Sequence, residues 1–165
     1  MIRPPSVNDL DKLVDLSIRH AMDAGYNGHD DVNRTYWKKQ LREMMISPTI
    51  QIFVAEQQGQ MVGYVIGSIN EKIWNGKRYG EINFIYIDRS IRNKLLLDDL
   101  FISIERWFLE NNCVYMQASV MGYDEEFLCS EEFVDKACNY FHKRHEMNEV
   151  GYHFVKSIGR DEWAE

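Results

Sequence analysis

Residues 81–97 read Glu81-Ile82-Asn83-Phe84-Ile85-Tyr86-Ile87-Asp88-Arg89-Ser90-Ile91-Arg92-Asn93-Lys94-Leu95-Leu96-Leu97. The run Glu81 to Ile87 alternates Ile82, Phe84 and Tyr86 with Asn83, Ile85 and Ile87. It is mostly apolar on both faces, which is the pattern of a central strand covered on two sides. A polar loop then runs from Asp88 to Lys94. The leucine triplet opens a long helix, about Leu95 to Asn111, with Leu97, Leu100, Phe101, Ile104 and Phe108 on one face. Strand, short polar loop and amphipathic helix lay an apolar helix face back onto a sheet.

Upstream, Ile2 and Arg3 before Pro4-Pro5 suit a short edge strand, because proline cannot donate to a ladder. Ser6 reads as a helix N-cap with Asp9 three residues on. Leu10, Leu13, Val14, Ile18 and Met22 follow helical spacing until Gly25 to Gly28. A second helix covers Asn33 to Met45, with Trp37, Leu41 and Met44–Met45 inward, and Pro48 ends it. The period then changes: Ile50 to Glu56 and Met61 to Asn70 read as strands joined by a hairpin turn at 57–60. Downstream of the long helix, Cys113 to Val120 reads as a strand. An acidic loop follows from Gly122 to Glu132, then a helix from about Phe133 to Arg144 and a last strand from Val150 to Ile158.

The expected order is β-α-α-β-β-β-α-β-α-β. It implies an α/β (α+β) fold, a mixed, mostly antiparallel central sheet flanked by helices. The 165 residues suit a single domain, 1–159, with a C-terminal tail at 160–165. Apolar residues at 45% and aromatics at 13% describe a chain with a core. Nineteen basic against 26 acidic residues give a net charge of −7. That balance disfavours nucleic acid and anionic membrane surfaces as partners. Met1 to Pro5 has no signal-peptide apolar run, so a cytoplasmic location is expected. Cys113, Cys129 and Cys138 lack Cys-x-x-Cys spacing, which argues against a disulfide framework and against a zinc site of the usual spacing.

This layout resembles the Gcn5-related N-acetyltransferases, the GNAT family. Four stretches carry the resemblance: Met1-Ile2-Arg3-Pro4 with its helix, the hairpin Ile52–Glu56 and Met61–Gly67, Glu81 to Arg92, and Phe141 to Gly151 running into Tyr152–Lys156. The pattern is especially similar to members encoded by tailed bacteriophages. The resemblance implies acetyl-CoA as cofactor and an amine as acceptor. It places cofactor contacts at Tyr86, Ile87, Arg92, Asn93, Lys94, Leu95, Leu96 and Leu97. It places a general base at Glu81, which starts the central strand, and an acid at His142, where the family has a tyrosine. It suggests Tyr79 and Tyr86 as lining for the acceptor cleft.

The family's loop carries small residues, mostly glycine, at the positions of Asn93, Leu95 and Leu97, so that backbone can approach a pyrophosphate. Here none is glycine, and Asp98 and Asp99 supply carboxylates near the helix start. Two readings follow. One is an N-acetyltransferase with a departed cofactor loop, acting on an unidentified amine. The other is a catalytically silent protein of the same fold in a structural or interaction role, such as a phage virion or assembly component. Its partners would then be further copies of itself or phage structural proteins. A third option is a module that holds CoA or a peptide without turnover.

Overall fold

The structure, a computed structural model, describes residues 1–24, 33–91, 93–118 and 139–147. Two compact units divide the chain, Met1–Cys129 and Ser130–Glu165. The first unit holds strands β1 (Ile2–Arg3), β2 (Ile50–Gln57), β3 (Gln60–Glu71), β4 (Arg78–Ile87) and β5 (Met116–Ala118), and helices α1 (Leu10–Asp23), α2 (Arg34–Met45) and α3 (Lys94–Glu110). The strands form one sheet in the order β1-β2-β3-β4-β5, antiparallel except for the parallel pair β4–β5. In the second unit, residues 139–145 are helical, in agreement with the end of the helix expected there. The expected acidic loop, the last strand Val150–Ile158 and the tail lie outside the described residues, as does Arg92.

The N-terminus is tied down by charge. Arg3 grips Asp9 with both Nη atoms, at 2.7 and 3.1 Å, and donates from Nε to Glu56 on β2 at 3.0 Å. Asp9 also accepts from the Ser6 backbone N–H and hydroxyl at 2.7 Å each, completing the capping box expected from the sequence. The Arg3 bonds hold the Asp9 carboxyl far below the usual carboxylate range. Asn33 caps α2 by accepting from Tyr36 N–H at 2.9 Å.

Each sheet face has its own cover. Leu10, Leu13, Val14 and Leu16 of α1, with Leu41 of α2, pack on Ile52, Val54, Tyr64, Ile66 and Tyr86. On the other face α3 buries Leu100, Phe101, Ile104 and Phe108. A β-carbon built on Gly80 falls on the Phe108 ring, and one on Gly67 lies 2.7 Å from Phe108 Cζ and 2.8 Å from Ile104. These two glycines are therefore gaps in the sheet that let α3 seat Phe108.

Several boundaries shift from the sequence reading by a residue, and three starts bear on the site. β4 begins at Arg78 rather than Glu81, because the hairpin ladder with β3 starts at the pair Arg78–Glu71. β5 begins at Met116 rather than Cys113. Asn112 takes a positive φ of 62° and the Cys113 N–H still bonds back to Phe108 O, so Cys113 finishes the helix end. The long helix begins at Lys94 rather than Leu95, with Asn93 as its cap.

A fourth difference matters more. Ile66 pairs with Phe84 and Gly67 with Ile82, so Asn83 is an extra residue in β4, a β-bulge. The alternation Ile82, Phe84, Tyr86 therefore does not share one face. Glu81, opposite Ser68, lies on the α1–α2 side together with Phe84 and Tyr86, while Gly80 and Ile82 face α3.

Gly80→Ala should destabilise the fold by about 1–3 kcal/mol through overpacking against Phe108. Urea denaturation measures this, and Phe108→Leu in the same chain should recover part of the loss. A neutral Gly80→Ala would mean that α3 does not seat Phe108 against β4.

Candidate active site

Glu81 stands half-buried where the α1–α2 face of the sheet opens. Its two carboxylate oxygens are held separately. Asn70 Nδ2 of β3 donates to Oε2 at 3.2 Å, and Gln117 Nε2 of β5 donates to Oε1 at 3.2 Å. Three neighbouring strands thus fix one carboxylate. On one side Tyr79 and Tyr115 stack at 5.3 Å with planes 4° apart, and Lys72 Nζ sits 4.9 Å over the Tyr115 ring.

On the other side Phe84 is 39% exposed, yet it is held edge-to-face by Trp37 of α2 at 5.9 Å and by His20 of α1 at 6.3 Å. His20 also stacks on Tyr86 at 4.6 Å, and its Nδ1 shares a 2.7 Å hydrogen bond with the Tyr64 hydroxyl. The Tyr86 hydroxyl donates to Asp23 Oδ2 at 2.7 Å. Burial and the Asp23 bond push the Tyr86 hydroxyl up to about 12, so it stays a donor at neutral pH. Burial pushes Tyr64 higher still. Burial also lowers His20, against a smaller pull upward from Asp23.

At the end of β4, Ile87 is buried, and a β-carbon on Gly63 would strike it. Asp88 then accepts from the Ser90 backbone N–H at 3.0 Å and hydroxyl at 2.7 Å, and pairs with Arg19. The Ser90 bonds, then Arg19, hold its carboxyl below the ordinary range. This fixes the turn at residues 88–91 that follows β4.

At the start of α3 the Asn93 side chain accepts from Leu95 N–H at 3.0 Å, and Asn93 O accepts from Leu96 and Leu97 N–H at 3.1 and 3.2 Å. Lys94 and Leu95 are exposed, Leu96 is buried and Leu97 is half-buried. The first turn of α3 contains no acidic residue. Asp98 is a buried residue beyond it, so the expected carboxylate compensation falls to the neutral Asn93 cap instead.

The pyrophosphate implied by the sequence can be tested against this end. Asn93 Oδ1 already stands as an oxygen acceptor on Leu95 N–H, in the place a phosphate oxygen would take. The Leu95 side chain points away from the core, and the Lys94 cation is exposed beside it. The residues present therefore fit a phosphate group once the Asn93 side chain turns aside, which gives up a cap of about 1 kcal/mol.

His142 lies in the second unit. Its Nδ1 is 3.2 Å from Met147 O, so its ring is tied to the end of its own helix. Of the residues singled out from the sequence, β4 aligns Tyr79, Glu81 and Tyr86 on one face. Asn93 to Leu97 form the α3 start. Sequence reasoning missed His20, Asp23, Trp37, Asn70 and Gln117 as parts of the site. Trp37 read only as an inward helix residue, and the others carry no local signal. They meet through strand register and the docking of α1 and α2.

The profile of the Acetyltransferase (GNAT) family matches residues 16–126. No curated protein gives a significant sequence match. Among solved structures, the chain is similar to an aminoglycoside acetyltransferase from an uncultured soil metagenomic sample, solved with sisomicin. That match has 15% identity, 96% of each chain covered and a TM-score of 0.70. It is similar to a GNAT family acetyltransferase of Staphylococcus aureus at 14% identity, covering 96% of this chain and 98% of that one, with a TM-score of 0.69. An aminoglycoside N-acetyltransferase in complex with CoA matches at 16% identity over 95% of this chain and 98% of that one, TM-score 0.69. At these identities the likeness is one of fold.

His20 makes the packing of this face pH-dependent. Its folded value lies below the ordinary 6.5, so the neutral ring favours the folded state. The stabilisation is complete above about 6.5 and is lost as pH falls through that value toward the lower folded one. Urea midpoints should therefore decline between about pH 7.5 and 5 in the native chain and decline less in His20→Gln. Equal declines would show that His20 is not buried neutral against Tyr86.

Proposed function

The chain belongs to the acetyltransferase (GNAT) family, and on that premise we propose that it is an acyl-CoA-dependent N-acetyltransferase acting on a primary amine. The observation that carries the proposal is the Glu81 carboxylate, held by Asn70 and Gln117 on an open sheet face next to the β4 bulge. Acetyl-CoA, when bound, supplies an activated acyl group. Lys94, with the backbone N–H groups of Lys94 and Leu95, would hold its pyrophosphate.

The chain's own residues handle the acceptor. An amine reaches the site as an ammonium and must shed a proton before its lone pair can attack. Glu81 pairs with the ammonium and takes that proton as a general base. Because Asn70 and Gln117 fix both oxygens from neighbouring strands, the base does not have to be ordered at the moment of reaction. The aminoglycoside acetyltransferases among the similar structures support an amine acceptor in this fold. The mechanism assigns no step to His142.

Two variants test the proposal. Glu81→Gln should lower acetyl transfer to amines by roughly a hundredfold or more while leaving acetyl-CoA affinity unchanged, as read by calorimetry. An unaffected rate would remove Glu81 from the chemistry. Asn93→Gly frees Leu95 N–H from its competitor and should tighten acetyl-CoA binding, by up to about fivefold for the loss of one cap of about 1 kcal/mol. Absence of acetyl-CoA binding in both the native chain and Asn93→Gly would overturn the enzymatic reading in favour of a catalytically silent member of the family.

A further inference from the structure

The acceptor side of the site has a chemistry of its own. Phe84 presents part of its ring outward, and its remaining edges are clamped by Trp37 and His20. It is therefore an aromatic platform whose position is set before any ligand arrives. Glu81 lies on the same face. The register puts Phe84 opposite Ile66 and Glu81 opposite Ser68, so the two are separated by two residues of β3, about 7 Å along the strand.

Asn83 is the extra residue between them. Without its bulge the two side chains would fall on opposite faces. An anion and an aromatic surface at this spacing match a ligand with a cationic head and a flat apolar body joined by a short tether.

We infer that the acceptor is a primary amine carrying an aromatic ring on a short alkyl tether, with the ring on Phe84 and the ammonium on Glu81. The inference rests on the reading of this face as the acceptor side of an acetyltransferase, and it narrows the amine within that reading. A ring laid on Phe84 gains an offset or edge contact in addition to its buried area. The ammonium gains a charge-assisted hydrogen bond to a carboxylate that is already oriented. A polyhydroxylated sugar amine would satisfy Glu81 but offers the Phe84 ring only a small, puckered patch of C–H groups, less apolar contact than a flat aromatic ring gives.

Binding without cofactor separates this inference from the catalytic reading. Calorimetry would titrate the full chain with phenethylamine, with phenethyl alcohol and with kanamycin. Phenethylamine should bind more tightly than either comparator. Its affinity should fall roughly tenfold in Glu81→Gln through the lost ion pair and in Phe84→Ala through the lost ring contact. Phe84→Leu keeps a bulky apolar side chain against Trp37 and His20 without the ring, and should still weaken phenethylamine. It serves as the second variant should the alanine change unfold the chain, as judged by circular dichroism.

Kanamycin binding equal to or tighter than phenethylamine overturns the inference. So does phenethylamine binding that is absent, or that is the same in Phe84→Leu and the native chain. Phenethylamine binding with the expected losses, but no acetyl transfer when acetyl-CoA is added, leaves the amine class standing and removes the enzymatic reading. Acetyl transfer to kanamycin with none to phenethylamine does the reverse.

Discussion

One extra residue in β4 organises the functional side of this protein. Strand geometry sends successive side chains to opposite faces, and a bulge resets that count. Asn83 resets it between Ile82 and Phe84. Before the bulge, Gly80 and Ile82 face α3 and Glu81 faces away. After it, Phe84 and Tyr86 turn to the side that Glu81 occupies. The carboxylate and the exposed aromatic ring thereby share the face on which His20 and Asp23 of α1 meet Tyr64 of β3 and Tyr86. The opposite face stays a packed core, with Gly67 and Gly80 making room for Phe108.

The end of the sheet that would meet a phosphate is built on a different principle. Asn93 both starts α3 and spends its own side chain on the Leu95 N–H. A glycine cap would leave that donor open, whereas asparagine gives the helix a modest stabilisation and a ligand must displace it. Asp88, bonded to Ser90 and Arg19, ties the turn that follows β4 to α1. If the proposed cofactor binds here, helix stability and cofactor access are coupled at this one side chain.

Much of the architecture is legible in the sequence. The Ser6–Asp9 capping box, the hairpin at 57–60, the antiparallel strands and the amphipathic helix from the leucine triplet all rest on local periodicity and capping chemistry, and the structure has them. The site is legible only in part. Glu81 stands out at a strand start, but simple alternation separates it from Phe84 and Tyr86, because a bulge leaves no mark that a single sequence reveals. Asn70 and Gln117 lie 11 and 36 residues from Glu81, and His20 lies 44 from Tyr64. Such pairs are created by register and docking, which the pattern of apolar residues does not specify. The N-cap role of Asn93 was obscured by the leucines and aspartates beside it.

In the proposed function the open α1–α2 face of β4 receives an amine at Glu81. A crystal structure of the chain soaked with phenethylamine tests it most directly. The expected result is the amine nitrogen within hydrogen-bond distance of a Glu81 carboxylate oxygen and the ring against Phe84. An amine bound on the α3 side of the sheet, or bound with Glu81 still engaged only by Asn70 and Gln117, would contradict it.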